Sequence, residues 1–519
     1  MISALSIFAG SLVLFQAGTS TAAAVPLPFH SAGFTRANLN EMTVQRELDF
    51  ITSDGTVIFG ASNTSQYAEA TERWVTYVKP DIRIVVQPSE EADVAKIVKY
   101  CNANSIEFLT RNRGHGFTTS LNNFSGLEID MVLLQEITIH EDTETALLQG
   151  GVWAGPLIDL LWDEGYVTAT GAAYCVGMMG LGLGGGHGRL QGTIGLVTDG
   201  LVHLNVVLAD GSKIGVNSTS HSDLFWAMRG AGHNFGIVTS YVVKIYPRPE
   251  NLWHYHSYVW TGDKLEAVFE QLNNLSTSDN GTTPPLMAFN GGVMAMNSSI
   301  STTEPVLSWS FAYNGAAADA EALLQPFNAI GAAAESMGDV PYPEIADVQG
   351  TGKDGAACQG GAYVISSNLL VTYNLTTERQ HYEMFSAYAA EHPELANTAR
   401  LAYEGYATKA FHDVPHDSTA YPHRSSNFIV YFLADVTSND LYDAAQDWAK
   451  DTWTLWTEGK ESKQPDIYVN YAAGHSYESL ESVYGYESWR LQRLRSAKAK
   501  YDPHNRFRFY VPLLPEKTR

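Results

Sequence analysis

Apolar positions along the first half of the chain switch repeatedly between a two-residue and a three-to-four-residue period. The β-branched run at 82–86 predicts a strand. Pro88-Ser89 then opens a helix, with Ser89 as N-cap, Glu90 and Glu91 in the first turn, and Ala92, Ala95, Val98 and Cys101 as the apolar stripe. A second strand at 107–110 runs into Arg111-Asn112-Arg113-Gly114-His115. This is a β-α-β unit with a histidine loop at a strand end, where α/β proteins place ligands. Further strands are expected at 127–131 and 146–149, and a short helix at 156–164. A hairpin joins 204–208 to 213–216 through the two-residue turn Asp210-Gly211. After a helix at 222–229, a strand at 237–245 is closed by Pro247 and Pro249, where the first domain ends.

From 252 to 458 the texture changes. Helices at 318–324, 378–392 and 441–457 stand between strand-like runs such as 306–313 and 428–434. Trp448, Trp453 and Trp456 on the last helix read as core packing. The tail from Asp466 predicts a strand, a turn and a helix over 488–500 that stops at Asp502-Pro503.

A chain of 519 residues, 45% hydrophobic and 11% aromatic, is a folded protein of about two domains. Its net charge of −24 argues against nucleic acid and anionic membranes as partners and favours small molecules. Residues 1–24 run apolar and end in Ala22-Ala23-Ala24, which reads as a secretory signal rather than a membrane span. Asn63, Asn123, Asn217, Asn274, Asn280, Asn297 and Asn374 each head an Asn-x-Ser/Thr triplet, so N-glycosylation is expected. Cys101, Cys175 and Cys358 allow one disulfide and leave one thiol, and Cys101 falls on a buried helix face.

The chemistry concentrates in two glycine-rich segments. Gly114-His115-Gly116 puts an imidazole on backbone that a ligand can approach closely. Gly180-Leu181-Gly182-Leu183-Gly184-Gly185-Gly186-His187-Gly188 contains a GxGxxG, but no buried strand precedes it and no ribose-binding acid follows. What it does offer is bare backbone N–H groups for a pyrophosphate. His412, Asp413, His416 and His423 gather imidazoles without a metal-binding spacing, so no metal is assigned.

Arg111-x-x-Gly114-His115, Val176-Gly177-x-x-Gly180, Gly184-Gly185-Gly186-x-Gly188, Asp199, Asp210-Gly211, the run from Asp223 to Gly230, and Asn234-Phe235-Gly236-Ile237-Val238 occur in this order. Together they resemble the FAD-binding domain of the vanillyl-alcohol-oxidase superfamily. Tyr468-Val469-Asn470-Tyr471 and Tyr501-Asp502-Pro503-x-Asn505-Arg506-Phe507 are similar to the closing segment of its berberine bridge enzyme-like oxidases. The resemblance implies an α+β protein. Residues 1–24 would be the signal and 25–69 an N-terminal segment. Residues 70–248 would form a two-part FAD-binding domain of the PCMH type, with 465–519 returning to it. Residues 249–464 would form a substrate domain whose antiparallel sheet covers the flavin.

By the same resemblance His115 is the covalent anchor of FAD. The lesser alternative is a loop imidazole merely bonded to a phosphate. Arg111, Arg113, Gly114, Gly116, Val176, Gly177, Gly180, Leu181, Gly185, Gly186, Gly188, Ile237, Val238 and Asn470 would line the cofactor. Tyr468 is expected to be the general base, its alternative being an aromatic in a core strand. Relatives carry a second covalent link from a cysteine where this chain has Ala173. Cys175 stands at the wrong offset, so a single link is expected. Arg113 replaces a glycine, adding a charge that could meet a phosphate. Leu181 replaces a histidine near the flavin pyrimidine edge, and His187, where relatives have an aromatic, is given a packing role. The expectation is a secreted, monomeric oxidase passing hydride from an alcohol, hemiacetal or phenolic substrate to FAD and then to O2. The alternatives are a biosynthetic flavoprotein performing oxidative cyclisation or dehydrogenation, and a flavin-binding protein without turnover.

Overall fold

The computed structural model describes residues 40–248, 252–436 and 438–514. The expected signal at 1–24 and Pro249 lie outside them. The β-branched run at 82–86 forms the centre of strand Asp81–Gln87. It pairs antiparallel with Val57–Gly60 and parallel with Ser125–Asp130, and Phe108–Arg111 completes the sheet parallel to the latter. Helix Glu91–Ala103 is the crossover, burying Val94, Ile97, Val98 and Cys101 against Ile84, Val86, Phe108 and Leu127. Ser89 is not its N-cap. Glu90 holds that position without a side-chain cap bond, because the Ser89 amide and hydroxyl turn to Thr56 Oγ1 at 3.1 and 3.4 Å.

A second sheet is antiparallel throughout, in the order Ile137–His140, Thr145–Gln149, Ile237–Lys244, Leu201–Val207, Lys213–Asn217. The expected two-residue turn is longer. Asp210 Oδ1 accepts from both the amide and the hydroxyl of Ser212, and the Leu208 amide closes onto Ser212 O, so the strands stop at 207 and resume at 213.

The third large sheet has seven antiparallel strands, in the order Ala334–Val340, Trp253–Trp260, Ser301–Tyr313, Met287–Asn297, Arg400–Gly405, Phe428–Asp435, Tyr363–Leu370. Helices Leu265–Leu275, Ala317–Asn328, Leu375–Glu391 and Tyr442–Gly459 cover one face. Trp448 and Trp456 are buried in that core with Trp260 and Trp309, whereas Trp453 is half-buried against Tyr477. The opposite face, carrying Ser257, Ser308, Ala402 and Glu404, turns toward the two smaller sheets.

The tail departs from the expected strand. Tyr468 leads into a tight 3₁₀ turn, Val469–Tyr471, because the Tyr471 amide folds back onto Tyr468 O at 2.7 Å. Helix Ser488–Tyr501 then returns to the first part of the chain. Lys498, paired with Asp502 at 2.7 Å, also donates to the Asn234 and Phe507 carbonyls, and both charged groups are fully buried. Cys175 and Cys358 form a disulfide and Cys101 stays a buried free thiol.

Candidate active site

A cavity of about 650 Å³ lies between the open face of the seven-stranded sheet and the two smaller sheets. That volume suits a bulky small-molecule ligand. Arg111, Arg113, Gly114, His115, Gly116, Val176, Gly177, Gly180, Leu181, Ile237, Val238, Tyr468 and Asn470 all line it, as do Ala173 and Arg189. Gly185, Gly186 and Gly188 do not, which corrects the expectation that the whole glycine run presents bare backbone to a ligand. These three are packing glycines. A Cβ at Gly188 would stand 1.9 Å from Thr170 O, and one at Gly186, with φ +90°, would strike Val197 at 2.6 Å. Gly185 has φ +132° and lies against Tyr421.

His115 follows strand Phe108–Arg111 on the turn begun by Gly114, whose φ of +71° a side chain rarely adopts. Its Nδ1 meets Arg113 O at 3.2 Å, so the neutral ring carries its proton there and leaves a lone pair on Nε2. Nε2 is buried and has no hydrogen-bond partner. Burial, helped by the Arg113 and Arg111 charges and opposed by the bond to Arg113 O, pushes the imidazole down to about 4. It is therefore neutral at physiological pH. Arg111 pairs with Asp130 at 3.3 Å, and the Arg113 guanidinium lies 4.6 Å over the Trp153 ring. Gly180, on the short helix Met178–Gly182, has no atom within 4 Å of where a Cβ would be. The orphaned Nε2 of His115 and this open cradle fit a large cofactor lying across both.

At the other end, Tyr468 Oη accepts the Gly186 N–H at 2.8 Å and the Asn470 Nδ2–H at 2.6 Å. Asn470 is held in turn by Leu181 O at 2.8 Å. Burial pushes the Tyr468 phenol up, and those N–H donors pull against it. His187 packs edge-on to Tyr468 at 4.9 Å, with Nδ1 donating to Gln191 Oε1 and Nε2 accepting from Tyr421. It both packs against these rings and lines the cavity, and burial holds its ring down to about 4.

Glu404 was not read from the sequence. It lies on strand Arg400–Gly405, where Arg400, Ala402 and Glu404 line the cavity, Leu401 fills the helix-covered core, and Tyr403 packs in that core while also bordering the cavity. That alternation was the available signal. Its carboxylate accepts from Tyr471 at 2.9 Å and Tyr406 at 3.0 Å, and burial raises its pKa. Arg189 was also missed. Its guanidinium spans Gln349 Oε1, Ala172 O and Thr351 Oγ1, each at 2.8 Å, pinning the loop that Cys358 ties down.

The remaining histidines scatter to separate partners: His412 to Ser426 O, His416 to Glu487, His423 to the Ile467 and Val483 carbonyls. Of the glycosylation triplets, Asn63, Asn123, Asn274, Asn280 and Asn374 are exposed and Asn217 is half-buried. Asn297 is 9% exposed and lines the cavity, which removes it from the surface acceptors expected.

Residues 82–217 match the FAD binding domain family. An FAD-linked oxidoreductase of Pestalotiopsis fici, iacH, is 53% identical over 513 residues, covering 99% of each chain. Among solved structures, BBE-like 1 of Physcomitrella patens superposes with a TM-score of 0.75 at 20% identity, over 91% of this chain and 99% of that one. The glucooligosaccharide oxidase of Acremonium strictum, described with a 6-S-cysteinyl, 8α-N1-histidyl FAD, gives 0.75 at 20% identity over the same shares. The α+β fold is thus shared with flavin oxidases, and similarity along nearly the whole length goes further: the chain belongs to the FAD-linked oxidoreductases.

Proposed function

We propose that this chain is a secreted oxidase that holds FAD through a single covalent bond to His115. Its substrate is an alcohol, hemiacetal or phenolic intermediate whose hydroxyl proton passes to Tyr468. FAD, when bound, supplies the hydride acceptor and returns the electrons to O2 as hydrogen peroxide.

The observation that carries the reading is Tyr468, which lines the cavity and whose hydroxyl oxygen receives two N–H donors. Such donors stabilise a phenolate, the form able to take a proton. Glu404 fixes the Tyr406 and Tyr471 hydroxyls and places a buried carboxylate where a substrate donor can reach it. His115 offers a neutral nucleophilic nitrogen on the same cavity. Cys175 is consumed in the disulfide and Ala173 has no nucleophile, which supports one link rather than two. Secretion is supported by the apolar leader, the exposed Asn-x-Ser/Thr sites and the disulfide.

Hydrogen peroxide release is to be measured over a panel of sugars, benzylic alcohols and phenolic metabolites, alongside anaerobic bleaching of the flavin. Stoichiometric peroxide with at least one hydroxyl substrate supports the reading. Flavin reduction without peroxide overturns the oxidase assignment.

A further inference from the structure

The face of the seven-stranded sheet turned away from the cavity carries a second cluster of ligating side chains. His254 and His256 sit two residues apart on strand Trp253–Trp260 and so share a face, while Ser257 between them and Tyr258 points to the cavity side. Their side chains are only 4% and 1% exposed. Helix Ala317–Asn328 lays Glu321 over them, and the edge strand Ala334–Val340 brings Asp339 directly opposite His254 and Glu335 opposite Tyr258.

Both imidazoles converge on one oxygen. Glu321 Oε1 is 3.0 Å from His254 Nε2 and 2.7 Å from His256 Nδ1. His254 Nδ1 also meets Asp339 Oδ1 at 2.8 Å, and His256 Nε2, buried and without a hydrogen-bond partner, lies 3.6 Å from Glu335 Oε2. A neutral imidazole has a single N–H. His254 faces a carboxylate at both nitrogens, so one of these contacts sets lone pair against lone pair unless a second ring proton or a metal cation supplies positive charge there. Three carboxylates around two neutral rings sum to a formal charge of −3.

The geometry points to a binding site for one first-row divalent transition ion, of the zinc class, held by His254 Nε2, His256 Nδ1 and Glu321 Oε1. The three ligand atoms lie within 4.8 Å of one another. Tetrahedral bonds of about 2.0–2.1 Å place neighbouring ligands roughly 3.3 Å apart, so the two imidazole–carboxylate contacts, now 3.0 and 2.7 Å, have to open by a few tenths of an ångström to admit the ion. The surroundings are already arranged as metal sites arrange them. Asp339 fixes the His254 tautomer with Nε2 free, a carboxylate–histidine–metal pattern. Asn328 Nδ2 donates to Glu321 Oε2 at 2.9 Å, leaving Oε1 for the ion. The Tyr258 hydroxyl, 2.9 Å from His256 Nδ1, donates to Asn328 Oδ1 at 2.6 Å and does not occupy that nitrogen's lone pair. Two histidines and a carboxylate suit zinc, copper or nickel rather than magnesium or calcium. The ion would clamp the helix onto two strands of the substrate-covering sheet, remote from the flavin chemistry.

The test is zinc titration of flavin-loaded, chelator-treated protein by calorimetry, with metal content measured after dialysis. One Zn²⁺ per chain is expected, with a rise in melting temperature. His254→Gln and Glu321→Gln should each abolish one-to-one binding while retaining the flavin absorbance of the folded protein, and Asp339→Asn should weaken it about tenfold or more. The proposal is overturned if the wild type takes up no stoichiometric zinc, the rings then being imidazolium partners of the carboxylates. It is equally overturned if His254→Gln and Glu321→Gln bind zinc as the wild type does.

Discussion

The Gly186 amide donates to Tyr468 Oη at 2.8 Å, joining the glycine run to a residue 282 positions later. Gly186 reaches that oxygen because its φ of +90° turns the N–H toward it, with the Asn470 amide approaching the same atom. The bond gives Tyr468 a fixed place on the cavity and explains one glycine that does not line it. Tyr468→Phe keeps the ring and loses the proton acceptor. It should lower the rate of anaerobic flavin reduction by about 10²–10⁴-fold, with little change in flavin content. Because burial raises the Tyr468 pKa, wild-type kcat/KM should climb with pH through the neutral and alkaline range. Stopped-flow absorbance reads both, and an unchanged reduction rate in Tyr468→Phe refutes the base assignment.

Gly180 leaves its Cβ position open to the cavity. Gly180→Val puts side-chain volume into that space, with its Cβ meeting no protein atom within 4 Å. The variant should fold with native circular dichroism but show flavin occupancy at least about tenfold lower, the effect of roughly 1.4 kcal/mol. Full occupancy would place the cofactor elsewhere.

The Cys175–Cys358 disulfide closes a loop with a sequence separation of 183. Thiol titration of denatured, unreduced protein should find one thiol, Cys101, and three after reduction. Cys358→Ser should cost about 2–4 kcal/mol by denaturant unfolding. Three thiols without reduction would reopen Cys175 as a second flavin link.

His187 is held neutral, with its folded pKa near 4 against an ordinary value of 6.5. The unfolded chain binds the proton first as pH falls. The stability contributed by the neutral ring is complete above about 6.5 and lost as pH drops through 4, on the order of 3 kcal/mol in all. Relative to His187→Gln, the wild type should therefore lose stability between pH 6.5 and 4 in urea denaturation. Parallel pH profiles would contradict a buried neutral ring.

Much of the fold was legible because local period and global packing agree. The unit from Asp81 to Arg111, the helix Ser222–Ala231 and the long helices over the seven-stranded sheet all carry their burial in their spacing. The tail misled because Tyr468 to Tyr471 alternates like a strand, yet a single 3₁₀ bond between Tyr468 and Tyr471 overrides the pattern. Ser89 looks like a cap until Thr56, far away in sequence, takes its hydrogen bonds. Strand Ala334–Val340 alternates small and polar residues and has no apolar face to announce it, so the pairing of Asp339 with His254 was invisible. His115 and Tyr468, singled out by their motifs, line one cavity, whereas Glu404 and Arg189 reach it through strands and loops brought together only by folding.

Under the proposed function His115 alone anchors FAD covalently, and acid precipitation separates a covalent from a dissociable flavin. Wild-type protein precipitated in trichloroacetic acid should carry its yellow flavin into the pellet, with an absorbance lacking a 6-thioether contribution, and His115→Ala should release flavin to the supernatant. Colour leaving wild-type protein with the supernatant, or staying in the His115→Ala pellet, would rule out His115 as the sole covalent anchor.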